Sequence, residues 1–330
     1  MKTLIIYHKE DNDGIFSAAI IKHYLKARGK ETEAFGADYT NLKTMTENDI
    51  ADWKKKYEMV YMTDISFNDY TLMDKLYESY GSMNFVWIDH HAPVIEASKK
   101  NNHVFGKAAG YRSPDNSAII NAYMYFNIPK SGKYLDENAY EFPLLFKYLS
   151  AVDCWSWERQ GLDFEYLRMI NKGITIEYSL DFDKVFSLVE KIFEDDEWND
   201  TTINKALNIG KPICEAEDNK NASLLENYGD GTWKVSGYPA IALFLQQGTS
   251  STMFKSVKGK YDYGIVFKHQ KTGEWVISLY ILEDVPSKQS KYMHCGEYLK
   301  ENYGGGGHAG AAGATISLEK FIEILRKKEI

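Results

Sequence analysis

The sequence predicts an α/β protein in which an N-terminal, mostly parallel sheet domain flanked by helices precedes a smaller C-terminal α/β domain. Three observations carry that prediction. In the first half, short apolar runs alternate with helical patterns, which implies βαβ units and a parallel sheet. After the turn Tyr228-Gly229-Asp230-Gly231 the pattern changes to closely spaced strand-like runs. The length of 330 residues suits two domains of ~100–200 residues, each large enough for its own core.

The elements follow in order. Thr3–His8 reads as the first strand, and a helix over Ile15–Arg28 follows from apolar residues at Ile15, Ala18, Ala19, Ile21 and Leu25. Glu58–Asp64 and Asn84–Asp89 are further strand-like runs, each followed by a helix, Tyr70–Tyr80 and Pro93–Lys99. Asn116–Phe126, Asn138–Leu149 and Phe182–Phe193 have helical patterns. A mostly polar helical stretch over Thr201–Asn227 reads as a connector. Beyond it, Trp233–Val235, Ala240–Leu245, Tyr261–Lys268 and Glu274–Ile281 are strand-like, and helices over Lys291–Asn302 and Leu318–Lys328 flank a glycine cluster. The domain boundaries expected from this are 1–198, a helical connector 199–228, and 229–330.

Charged residues are 26% and hydrophobic residues 44% of the chain, a soluble globular balance that argues against disorder. The longest apolar runs, such as Ala240–Leu245, fall far short of the ~18 residues of a membrane span, so no membrane partner is expected. The opening residues read as a strand, without a signal-peptide pattern. The three cysteines, Cys154, Cys214 and Cys295, are scattered and in no C-x-x-C spacing. A cytoplasmic setting without disulfides is the expectation. A net charge of −8 has the wrong sign for gripping long duplex DNA through many phosphates.

The chemistry is concentrated at strand ends. One run ends at His8 and leads into Asp11-Asn12-Asp13-Gly14, the next ends at Asp64, and the third ends at Asp89-His90-His91. Ligands of open parallel sheets bind at the carboxyl ends of the strands, so three strands deliver carboxylates and imidazoles to one sheet edge. Clustered carboxylates repel one another unless cations intervene. An oxygen-rich site with one or two imidazoles suits Mn²⁺, Mg²⁺ or a related ion. Singly, Asp-Asn-Asp-Gly is a common turn and helix cap, Asp64 has the look of a helix cap, and a buried histidine is more often a core residue than a ligand. The joint arrangement favours metal binding.

Near the C-terminus stands Tyr303-Gly304-Gly305-Gly306-Gly307-His308-Ala309-Gly310-Ala311-Ala312-Gly313. Glycines leave backbone N–H groups open to close approach by phosphate oxygens. His308 would add a charge-assisted hydrogen bond, and the small residues after it suit a tight loop or helix start.

The series His8…Asp11-x-Asp13-Gly14, Asp64, Asp89-His90-His91, Asp153 and Gly305-Gly306-Gly307-His308-x-x-Ala311-Ala312-Gly313 resembles the DHH–DHHA1 phosphoesterases, a family of RecJ-like exonucleases, nano-RNases and cyclic-dinucleotide phosphodiesterases. The resemblance spans essentially the whole chain. It implies a DHH domain, a DHHA1 domain and a binuclear centre, usually of Mn²⁺, with Mg²⁺ or another divalent ion as the alternative. His8, Asp11 and Asp64 would bind one ion and Asp13, Asp64, His90 and Asp153 the other, with Asp64 bridging. Asp89 would orient His90, His91 would face the substrate phosphate, and His308 with Gly305, Gly306 and Gly307 would bind substrate. Two departures stand out: His8 precedes Asp11 by three positions rather than four, and Ser278-Leu279-Tyr280-Ile281 has a tyrosine where many relatives carry an arginine. Tyr280 could stack on a base or point into the core, and core packing is the preferred reading.

The expected activity is two-metal hydrolysis of a short oligonucleotide, dinucleotide or nucleotide phosphate. The alternatives are a RecJ-like single-strand exonuclease and a metal-dependent nucleotide-binding module without turnover. Homo-oligomerisation stays open.

Overall fold

A computed structural model describes residues 2–100, 102–127, 141–246, 250–282, 293–307 and 309–330. The chain divides into two compact units, Met1–Ile213 and Cys214–Ile330.

The first unit runs β1 (Lys2–His8), α1 (Asn12–Ala27), β2 (Thr32–Ala37), α2 (Tyr39–Leu42), α3 (Glu47–Lys56), β3 (Tyr57–Thr63), α4 (Tyr70–Asn84), β4 (Phe85–Ile88), α5 (Ala92–Ser98), α6 (Ala118–Asn127), α7 (Leu144–Asp153), α8 (Phe164–Tyr178) and α9 (Phe182–Glu194). The division between the units falls within α10 (Glu197–Tyr228). The four strands pair in parallel in the order β2-β1-β3-β4. The chain leaves β1 for β2 on one side and then crosses to β3 on the other, so the strand order reverses between β1 and β3. That is the topological switch point at which ligands of such sheets bind.

Both faces of this sheet are buried, which explains its near-continuous apolar strands. Ile5 and Tyr7 of β1 pack with residues of α1, α6, α7 and α9, while Leu4 and Ile6 pack with Leu72, Met73 and Leu76 of α4 on the other face. Strand β2, helices α2 and α3, and helix α8 are additions to the sequence prediction. As an edge strand, β2 (TEAFGA) is short and largely half-exposed, so it lacks the apolar run that marks β1 and β3. The expected helix Asn138–Leu149 begins at Leu144, with 138–140 outside the described residues.

The second unit holds β5 (Asp230–Val235), β6 (Tyr238–Leu245), β7 (Tyr263–His269), β8 (Trp275–Ile281), α11 (Cys295–Tyr303), β9 (Gly306–Gly307), β10 (Ala311–Ile316) and α12 (Leu318–Lys327). Its sheet order is β5-β6-β7-β8-β10-β9, with β6 and β7 parallel and the other pairs antiparallel. Ile265 and Phe267 pack on one face with Leu299 and Phe321, while Val266 packs on the other with Phe254 and Tyr280. Tyr280 is thus a core residue, as its sequence context suggests. No helix among the described residues is long and apolar enough to cross a membrane.

Strand β5 starts at a carboxylate clamp. Asp230 accepts hydrogen bonds from Thr232 N and Oγ1 (3.0 and 2.6 Å), Trp233 Nε1 (3.1 Å) and Lys328 Nζ (2.9 Å). Partial burial works against ionisation, but these donors outweigh it and hold the Asp230 carboxyl down at about 2. A carboxyl with a depressed native pKa stabilises the fold above its unfolded value of ~3.9 and loses that contribution as pH falls through the native value. Asp230→Asn should therefore be less stable than the parent above about pH 5, and the gap should close as pH falls from ~4 to ~2. Urea denaturation across pH checks this; a gap that widens in acid would refute it.

Candidate metal centre

The centre is built at the C-terminal ends of β1, β3 and β4. Helix α1 starts directly after β1, with Asp11 as its cap: the Asp11 side chain accepts the Gly14 N–H at 3.0 Å. Gly14 is required by clearance, since a Cβ there would lie 2.0 Å from the His8 carbonyl oxygen. A side chain at position 14 would drive α1 away from the strand that carries His8.

Asp13, in the first turn of α1, is 3% exposed. Its two oxygens accept N–H bonds from Ala118 (2.7 Å) and Ile119 (2.9 Å), the first residues of α6. Free amides at a helix N-terminus favour a carboxylate, so α6 fixes the orientation of Asp13.

Asp64 follows β3 in a left-handed conformation (φ 58°), a region in which Asp is tolerated better than most residues. Its N–H donates to the Ile88 carbonyl at 3.1 Å, tying the β3 end to β4. One carboxylate oxygen lies 3.6 Å from His8 Nδ1 and the other 3.2 Å from His90 Nε2. His8 Nδ1 is also 2.9 Å from Asp11 Oδ2. His90 Nε2 also faces Asp13 Oδ2 at 3.6 Å and Asp153 Oδ2, at the end of α7, at 3.3 Å. The six residues expected as ligands therefore lie together within the first unit, and Asp64 is the member common to the His8 and His90 groups. His8, Asp11 and Asp64 can offer one ligand atom each within 4.8 Å of one another, as can Asp64, His90 and His91, and His90, Asp153 and Cys154.

The electrostatics ask for cations. Burial, reinforced by Asp13, pushes the Asp64 and Asp153 carboxyls well above the usual range. Burial opposes protonation of His8, but hydrogen bonds to Asp11 and Asp64 outweigh it and raise its imidazole to about 10. His90 is likewise raised, against burial, by Asp13 and Asp153. Asp64 Oδ1 and His8 Nε2 are buried without an aligned hydrogen bond, an expensive state for polar atoms. A buried Asp64 oxygen and a buried His8 nitrogen without hydrogen bonds, in a cluster of carboxylates and imidazoles, fit a site made for divalent cations.

Asp89 differs from its expected role. Its Oδ1 accepts from the His91 ring (2.7 Å) and from the His90 and His91 amides (2.7 and 3.1 Å), and its Oδ2 accepts from Trp87 Nε1 (3.0 Å). It therefore orients the ring of His91 and touches His90 only through the backbone, because the His90 Nε2 is turned to three other aspartates, Asp13, Asp64 and Asp153. The His91 side chain is 40% exposed. Two further residues, Asn121 and Tyr39, were not singled out by sequence reasoning. Asn121 Nδ2 donates to the carbonyls of Asp89 (3.0 Å) and Ser113 (3.1 Å). The Tyr39 ring stands 5.6 Å from that of His8. Burial holds the Cys154 thiol protonated, well above its usual range, which removes it as a thiolate nucleophile.

In the second unit the glycine cluster forms a backbone-packed corner rather than a helix start. Gly306 and Gly307 pair with Gly313 and Ala312, and the small residues continue as strand β10. A Cβ on Gly296 would meet the Gly307 carbonyl at 2.2 Å, and Gly307 itself has φ 145°. Close approach of α11 to β9 accounts for Gly296 and the left-handed backbone for Gly307 of the cluster, whereas nothing crowds Gly306. His308 lies outside the described residues.

No protein-family model and no curated protein matches the chain. Solved structures do, and they show the fold: the chain shares that of a DHH-domain structure, with a parallel four-stranded sheet and a mixed six-stranded sheet. Among them, the DHH-domain structure of a member of the s1p family of ribosomal proteins has a TM-score of 0.60 at 14% identity, covering 99% of this chain and 85% of that one. A pGpG-specific phosphodiesterase from Vibrio cholerae has a TM-score of 0.51 at 14% identity, covering 99% and 97%. RecJ in complex with Mn²⁺ from Thermus thermophilus has a TM-score of 0.50 at 14% identity, covering 99% of this chain and 51% of RecJ.

Proposed function

We propose that this chain is a metal-dependent phosphoesterase acting on short nucleotide substrates. In this reading His8, Asp11 and Asp64 hold one cation, and Asp13, Asp64, His90 and Asp153 hold a second. The observation that carries it is Asp64: a buried carboxylate at the switch point, with one oxygen toward His8 and the other toward His90. Similarity to a pGpG-specific phosphodiesterase and to Mn²⁺-bound RecJ supports both the reaction class and the metal.

Divalent cations such as Mn²⁺ or Mg²⁺ supply Lewis-acid charge and a water acidic enough to attack phosphorus near neutral pH. The protein's part is placement. Helix α6 fixes Asp13, and the β3–β4 tie fixes Asp64. Asp89 accepts a hydrogen bond from His91 Nδ1, which leaves the other ring nitrogen to donate to a phosphoryl oxygen as charge develops there. Burial opposes protonation of His91, but the Asp89 hydrogen bond outweighs it and raises the imidazole pKa, favouring a donor. No side chain is required as nucleophile.

A substrate panel tests the proposal: linear dinucleotides, cyclic dinucleotides, 3′,5′-bisphosphorylated adenosine and long single strands, each with Mn²⁺ and with excess EDTA. Short phosphoesters should be cleaved with Mn²⁺ and spared in EDTA. Full turnover in EDTA would sink the metal mechanism, and rates that rise with strand length would select the exonuclease reading.

A further inference from the structure

Helix α7 ends at Asp153 with an unusual stop. The Ser156 N–H donates to the Ala151 carbonyl (3.1 Å) and the Trp155 N–H to the Val152 carbonyl (3.4 Å). This pair of bonds defines a Schellman motif, whose pivot residue adopts a left-handed conformation and is usually glycine. Here the pivot is Trp155, with φ 54°. A bulky residue in that conformation costs stability, yet Trp155 keeps 49% of its surface exposed. Its ring rests on Trp157 (centroids 5.2 Å apart), which rests in turn on Phe164 (4.6 Å). A strained, exposed indole, braced from behind by two aromatic rings, thus sits two residues from Asp153 and next to Cys154, both of which cluster with His90.

We propose that Trp155 is a stacking platform for the nucleobase of the short nucleotide substrate; this rests on the phosphoesterase reading above. Backbone strain held at an exposed side chain is expected where that side chain must be presented. An exposed indole offers a flat π face that any base can cover, without reading its sequence. Tyr280 is buried in the second unit's core, whereas the Trp155 indole is exposed and lies two residues along the chain from Asp153.

The test uses the full-length chain with Mn²⁺ and two probes, the 5′-phosphorylated dinucleotide pApA and its doubly abasic counterpart. The parent should prefer pApA by roughly tenfold or more in kcat/KM. Trp155→Gly, which relieves the left-handed strain, should collapse that ratio toward one without lowering Tm, and Trp155→Phe should retain most of it. A preference that survives in Trp155→Gly, or a Tm drop of several degrees showing that the indole is a packing residue, overturns the proposal. Calorimetric titration with AMP reads the same contact without turnover: binding should weaken roughly tenfold in Trp155→Gly, and equal affinity overturns stacking. A parent that binds AMP through Trp155 but cleaves no phosphoester would remove the phosphoesterase reading while leaving the platform.

Discussion

Asp64→Asn should lose activity by a factor on the order of 10³ or more and yet, without metal, melt higher than the parent at pH 7. The first effect follows from position, since Asp64 belongs to both the His8 and the His90 groups and its loss disrupts both. The second follows from the electrostatics. Burial and Asp13 raise the Asp64 carboxyl well above its ordinary range. A carboxyl raised in the folded state costs stability as pH climbs from its unfolded value of ~3.9 toward the native value. Asparagine carries no such cost, and it tolerates the left-handed backbone at position 64 as well as aspartate does. The gain should vanish near pH 4 and below, and at neutral pH a gain of about 1 kcal/mol would appear as a rise of roughly 2–4 °C. Mn²⁺ should then reverse the order. The parent gains about 2.7 kcal/mol at a hundredfold excess over Kd, whereas Asp64→Asn gains little. Calorimetric scans with and without Mn²⁺, at pH 4 and pH 7, check both signs. A metal-free variant that melts lower than the parent at pH 7 would show that Asp64 is a structural carboxylate.

Much of this was legible in the residues alone. Strands β1, β3 and β4 announce themselves as apolar runs because both faces of the sheet are buried, and each delivers its His or Asp at the end where the run stops. What could not be read was of two kinds. Strand β2 lies at the sheet edge and carries Glu33 and Gly36 in place of an apolar run, so no hydrophobic period marks it. Contacts between residues distant in sequence leave no local signal either. Nothing near Asp13 indicates that the amides of Ala118 and Ile119 hold it. Nothing in Ala151-Val152-Asp153-Cys154-Trp155 indicates that Asp153 lies 3.3 Å from His90; only the family resemblance pointed to that residue. Asp89 shows what analogy leaves out: resemblance pairs it with His90, whose amide it does accept, while its oxygens also serve the His91 ring and the Trp87 indole.

That pairing supports the second large prediction. Asp89 is fully buried and, among the described residues, its oxygens face donors: the Trp87 indole, two backbone amides and the His91 ring. Burial opposes its ionisation, but the His91 hydrogen bond and charge outweigh it and hold the carboxyl below the usual range. Asparagine has one acceptor oxygen where the carboxylate has two. With that oxygen toward His91, its NH₂ group meets the Trp87 N–H, donor against donor, in a site closed to water. Asp89→Asn should therefore lose about 1–3 kcal/mol of stability. A double-mutant cycle with Trp87→Phe should show roughly 1 kcal/mol of coupling, because the second change removes the stranded indole donor. Activity should fall by about 10–100-fold, the usual effect of losing a group that orients a catalytic side chain. The pH profile separates this from simple destabilisation. Asp89 raises the His91 pKa, so removing its charge lowers that pKa, and a His91 that acts as a donor loses its proton earlier as pH rises. The alkaline limb of kcat should move to lower pH in Asp89→Asn while the protein stays folded. An unmoved alkaline limb, at whatever residual rate, would mean that His91 gives no proton or hydrogen bond that Asp89 controls.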